Sequence, residues 1–113
     1  DMQAEAYMLL TLAECARAVT APRWQDKALV WLEEAKAKFR AAGDGTMETR
    51  CLLEQCLVHS SRGNSAAALE CGVGALAVAE TIRDEELIAL GRLCVARAES
   101  SAGRHAKALQ FAK

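Results

Sequence analysis

Residues 21–44 read APRWQDKALVWLEEAKAKFRAAGD, and residues 61–84 read SRGNSAAALECGVGALAVAETIRD. Laid over each other with a shift of about 40 positions, Ala28-Leu29 falls on Ala68-Leu69 and Asp44 falls on Asp84. A third stretch, SAGRHAKALQFAK at 101–113, keeps the register through Ala108-Leu109. The segments in front of these also align. Ala16, Cys56 and Ala96 are equivalent and all small, as are Thr20, Ser60 and Ser100. A small residue recurring in one register lets a helix lie close against its neighbour, where a larger side chain would push the two apart.

The apolar residues inside these units follow a helical period, as in Leu9, Leu10, Leu12, Ala13 and Ala16, or Ala28, Leu29, Leu32, Ala35 and Phe39. The pattern predicts helices over about 2–20, 23–42, 46–61, 65–82 and 84–101, with a sixth starting near 104. Pro22 suits the first position of a helix, where a missing N–H costs nothing. Gly43-Asp44-Gly45 ends one helix, while Gly63-Asn64 and Gly103-Arg104 read as breaks between helices. No strand signal competes. A lone helical hairpin cannot bury both of its apolar faces, so about three stacked units are the minimal stable array. The expectation is one all-α domain over 1–113, with units at about 2–44, 45–84 and 85–113, the last truncated. The helical pattern is already running by Met2, which reads as a segment of a larger protein.

Apolar residues make up 52% of the 113 residues and charged residues 26%, enough apolar surface for a packed core. The formal net charge is −1 and no basic stripe stands out, which argues against direct nucleic-acid binding. No apolar run approaches the length of about 20 residues that a membrane span needs, and the first residues show no signal-peptide pattern. The five cysteines, Cys15, Cys51, Cys56, Cys71 and Cys94, form no CxxC or other zinc pattern. They read as small buried hydrophobes kept reduced in the cytoplasm.

The turn-to-helix signature GNSAAAL at 63–69 and GRHAKAL at 103–109 resembles the tetratricopeptide family. So do the small residues Ala16, Cys56 and Ala96, and Ala35 and Ala75 further on. The resemblance covers essentially the whole chain. The period is longer than the family's usual 34 residues, Arg23-Trp24 stands where Gly is usual, and no unit ends in Pro. The long form is similar to repeats of bacterial signalling regulators and of eukaryotic adaptors. The resemblance implies a right-handed superhelical array of antiparallel helix hairpins, a solenoid of about three repeats. It also implies a concave face, lined by the first helix of each hairpin, that holds a partner's peptide or helix.

On that face the register places Leu10, Ala13, Arg17 and Thr20, then Arg50, Leu53, Leu57 and Ser60, then Leu90, Leu93, Arg97 and Ser100. Arg17, Arg50 and Arg97 are candidates to grip an acidic or amphipathic segment, because guanidinium forks suit carboxylates. The alternative is pairing with Glu14, Glu54 or Glu99 within the chain. Catalysis needs grouped polar residues at fixed distances, and the sequence supplies none. Cys56 and His59 share a helical face but lack an orienting third group. His59 reads as a helix-end residue able to meet the C-terminal dipole, and His105 as a packing residue. Glu33-Glu34 and Glu85-Glu86 point about 100° apart on a helix and belong to solvated faces. Gly72 and Gly74 read as close helix contacts and Trp24 and Trp31 as a cover over apolar surface. The expected function is a non-catalytic interaction module without cofactor or metal. The alternative is self-association, a homodimer stacked through exposed repeat edges.

Overall fold

A computed structural model describes the backbone of residues 2–19 and 22–111 and the side chains of 3–19 and 22–103. The chain is all-α: α1 Met2–Ala18, α2 Pro22–Ala41, α3 Gly45–Ser61, α4 Ser65–Ile82 and α5 Glu85–Phe111. Each helix packs antiparallel on the next in the chain, and α3 also touches α1 and α5. The odd-numbered helices thus meet one another through α3.

Three of the turns are closed by one local device. Gly43, Gly63 and Arg83 adopt positive φ of 75°, 74° and 57°. The next residue's N–H then reaches back: Asp44 to Phe39, Asn64 to His59 and Asp84 to Ala79, at 2.9–3.2 Å. That is the Schellman arrangement, which satisfies carbonyls left open at a helix end. The same residues cap the next helix. Side-chain oxygens of Asp44, Asn64 and Asp84 accept from the N–H of Met47, Ala67 and Leu87 at 3.1–3.3 Å. Pro22 opens α2, as its fixed φ favours.

The expected break at Gly103-Arg104 does not form, and α5 continues to Phe111. Where Asn64 caps α4, the matching residue is Arg104, whose side chain has no acceptor for a helix N-terminus. Gly103 does not take the positive φ of Gly63. Ala108, Leu109 and His105 lie outside the residues whose side chains are described.

The core falls into connected clusters. The largest joins Ala6, Leu10, Ala13 and Ala16 of α1, Ala28, Leu32, Ala35 and Phe39 of α2, and Met47, Cys51 and Val58 of α3. Trp24 and Trp31 cover its edge, with Lys27 4.8 Å and Arg23 5.8 Å from the Trp24 ring centre. Leu52, Leu53, Ala75, Ala79 and Leu87 form a second cluster, and Cys56, Ala68 and Ala98 a third. Between α4 and α5 the backbones approach closely enough to crowd an added side chain. A Cβ added at Gly91 would lie 3.2 Å from Leu76 Cα, and one at Gly72 3.2 Å from Val95 Cγ2. Gly74 meets only Leu52, at an ordinary 3.7 Å.

Helix α4 corrects the reading of apolar runs. Its 18 residues are apolar enough, by length and composition, to cross a membrane. Its apolarity comes from many Ala with scattered Val, Leu and Ile rather than from a block of large residues, with Glu70 and Glu80 its only charges. Here it packs against α3 on one side and α5 on the other.

Candidate functional site

An open cavity of about 630 Å³ is lined by residues of the odd-numbered helices. Glu14 of α1 stands at one edge. Thr46, Arg50, Leu53, Glu54 and Leu57 of α3 form the middle. Asp84 and, on α5, Glu86, Leu87, Leu90, Leu93, Cys94 and Arg97 form the far wall. The α5 positions 86, 90, 93, 94 and 97 are those that align with 46, 50, 53, 54 and 57 of α3. The two helices therefore present the same face to one space. Leu90 and Leu93 are 42% and 46% exposed, which is high for leucine. Leu53 and the half-buried Leu57 continue the apolar floor.

Six of the nine residues singled out in the sequence line this groove: Arg50, Leu53, Leu57, Leu90, Leu93 and Arg97. Leu10 and Ala13 do not. They are 2% and 0% exposed and belong to the core with Met47 and Cys51. The register rule treated all first helices alike, but α1 turns these positions into its contact with α2 and α3. Thr20 lies outside the described residues.

Two of the three arginines have partners inside the chain. Arg17 Nε donates to Glu54 at 2.6 Å and its Nη2 to the other oxygen at 3.3 Å, a bidentate bridge from α1 to α3. Arg50 stands 3.7 Å from Glu14 on the same pair of helices. Arg97 makes no ion pair among the described residues. At the opposite end of the α5 wall stand Asp84 and Glu86. The groove is thus apolar along its floor, acidic at one end and basic at the other.

Glu33, Glu34, Glu85 and Glu86 are exposed, as expected of solvated faces. Glu33 accepts a 2.8 Å hydrogen bond from Gln55 and a 3.1 Å ion pair from Lys36, which hold its carboxyl below the ordinary value. Gln55 Oε1 is buried without a partner, a local cost of that bond. Burial and the charge of Arg62 hold His59 below its ordinary pKa. The neutral imidazole is favoured, against the expected charge-to-dipole contact. Cys56 is buried at 1% exposure in a cluster against which Cys94 packs. Burial pushes Cys51 up to about 12 and Cys71 upward too. Cys15 is exposed, which corrects the reading of all five thiols as buried. Among the described residues no group of three or more His, Cys, Asp or Glu could hold a metal ion.

No family model, curated protein or solved structure matches the chain.

Proposed function

We propose that the chain is a non-catalytic, tetratricopeptide-like interaction module that holds an amphipathic segment of a partner protein within a larger cytoplasmic signalling or regulatory protein. The observation that carries this reading is the row of exposed leucines, Leu90 and Leu93, set beside Leu53 and Leu57 in an open groove. Exposed leucine in a concave, polar-rimmed setting is the usual mark of a binding surface. The rim sharpens the partner's chemistry. Arg17 and Arg50 are already engaged by glutamates, so the three-arginine grip on an acidic segment reduces to Arg97 alone. The segment that fits carries apolar residues at helical spacing, a basic group toward Asp84 and Glu86, and an acidic group toward Arg97. The five free thiols suit a reducing compartment.

The test is partner affinity in the parent protein after Leu90→Asp plus Leu93→Asp. The reading expects a loss of about tenfold or more, since each buried leucine contributes roughly 1.5–3 kcal/mol. Unchanged affinity with the fold intact sinks it.

A second reading, self-association, draws on α1. Met8, Leu12 and Val19 are 60%, 42% and 47% exposed and share its outer side with Cys15. Light scattering separates the two, because only self-association makes the mass rise with concentration, and Met8→Lys plus Leu12→Lys abolishes that rise.

A further inference from the structure

One face recurs in register on the three odd-numbered helices: Thr11, Cys15 and Ala18 on α1, Cys51, Gln55 and Val58 on α3, and Gly91, Val95 and Ala98 on α5. On α3 the preceding helix α2 covers it. Cys51 and Val58 share a core cluster with Leu32 and Phe39, and Gln55 donates to Glu33. On α5 the preceding helix α4 covers it. Gly91 lies against Leu76, Val95 against Gly72, and Ala98 clusters with Ala68. On α1 the same three residues are exposed, and Ala4, Met8 and Val19 extend the exposed row at helical spacing.

The charges of α1 avoid this row. Among its described residues the charged side chains are Glu5, Glu14 and Arg17, and each is drawn inward: to Lys38 at 3.6 Å, to Arg50 at 3.7 Å and to Glu54 at 2.6 Å. The Thr11 hydroxyl donates to the Tyr7 carbonyl of its own helix at 2.9 Å. The opposite side of α1, Ala6, Leu10, Ala13 and Ala16, is core. A solvated helix turns its charges outward, whereas one that is apolar all round is built to be buried. A face without charge also meets its own copy without like-charge repulsion, as an isologous contact requires. The order of sizes favours an antiparallel pair. With a two-fold axis between Thr11 and Leu12, Met8 of one copy lies level with Cys15 of the other, and Ala4 with Val19. Large residues then meet small ones, as interlocking helices need, and the helix dipoles oppose. A parallel pair sets Met8 on Met8 and Ala4 on Ala4.

We propose that two copies of the chain pair through this face, α1 against α1, antiparallel about a two-fold axis between Thr11 and Leu12. The proposal rests on the self-association reading above and gives it a face, a direction and a register. The α3 and α5 walls of the groove lie outside this contact, so the dimer carries two grooves.

The test combines light scattering on the unsubstituted chain with disulfide mapping of a Met8→Cys chain under a mild thiol oxidant. The mass is expected to rise with concentration toward twice that of one chain. Mass spectrometry on a mixture of isotope-labelled and unlabelled chains is expected to find position 8 of one copy bonded to Cys15 of the other. Within one helix those positions stand about 10 Å apart, beyond the reach of about 7 Å between Cα atoms that a disulfide spans. Cys15→Ser in the same chain removes the bond. Met8 is exposed, so its replacement is expected to leave the fold intact, which circular dichroism checks. Ala4→Cys plus Val19→Cys in a Cys15→Ser chain repeats the test at the ends of the contact, through a bond between positions 4 and 19. A rising mass with 8–8 and 15–15 bonds in place of 8–15 overturns the antiparallel pairing and leaves self-association standing. A mass that stays that of one chain at every concentration, the result if another segment or protein covers α1, overturns both.

Discussion

Between α1, α2 and α3 the core holds Leu10, Leu32 and Phe39, each at 2% exposure or less. Between α4 and α5 the contact is made by Gly91 against the Leu76 backbone and Gly72 against Val95, with Ala68, Ala75, Ala79 and Ala98 filling in. The first region is held by volume, the second by proximity. Large side chains bury more area per residue, whereas close backbones gain dispersion contacts only while the helices stay in register. The difference bears on function because α5 is the far wall of the groove. Its inner side meets α4 through small residues, which leaves Leu90 and Leu93 to face outward.

The largest effects are expected in the first region. Phe39→Ala removes the largest fully buried side chain, and urea unfolding is expected to show a loss of about 3–5 kcal/mol. A loss under about 1 kcal/mol would erase the contrast. In the second region, Gly91→Leu drives a side chain into the Leu76 backbone and is expected to cost about 1–3 kcal/mol. Gly74→Ala, with only ordinary contact to Leu52, is expected instead to gain up to about 1 kcal/mol, the helix-propensity difference. Equal effects at Gly74 and Gly91 would show that approach distance does not set the packing. The turns give the next size. Asp44→Ala loses a cap, at about 1 kcal/mol. Arg83→Gly relieves a left-handed residue and is expected to raise stability by a similar amount.

The smallest effect is electrostatic. The Glu33 carboxyl is held below its ordinary value in the folded chain, so it supports folding above the unfolded value of about 4.5. That support fades as pH falls through the lower folded value. Because Glu33 is largely exposed, Glu33→Gln is expected to cost no more than about 0.5 kcal/mol at pH 7. It also flattens the stability profile below pH 4.5. An unchanged profile would mean that the Gln55 and Lys36 contacts do not persist in solution.

The helices and turns were legible because their signals are local. Glycine at positive φ followed by Asp or Asn is visible in the chain itself at 43–44 and 63–64. Arg83 was harder to see, because its left-handed turn lacks the glycine and is marked only by Asp84. The same localness misled at Gly103, where a turn residue stands without the cap that would restart a helix. The α3 and α5 positions that line the groove followed from register together with the face that the tetratricopeptide resemblance implied. Leu10 and Ala13 did not, since the packing of α1 against α2 and α3 decides whether an apolar residue is floor or core. The close approach at Gly91 depends on which helices meet and how closely, and no spacing along the chain encodes that. The pairing of Arg17 with Glu54 was foreseeable only as one of several choices.

The most direct test of the groove is photocrosslinking in the parent protein, with benzoylphenylalanine placed once at Leu90 and once at Val30. Leu90 faces the groove, while Val30, 57% exposed, lies on α2 away from it. The account predicts that the probe at Leu90 captures a defined segment of a partner protein and that the probe at Val30 does not. Capture of the same segment with equal yield from both positions would contradict it.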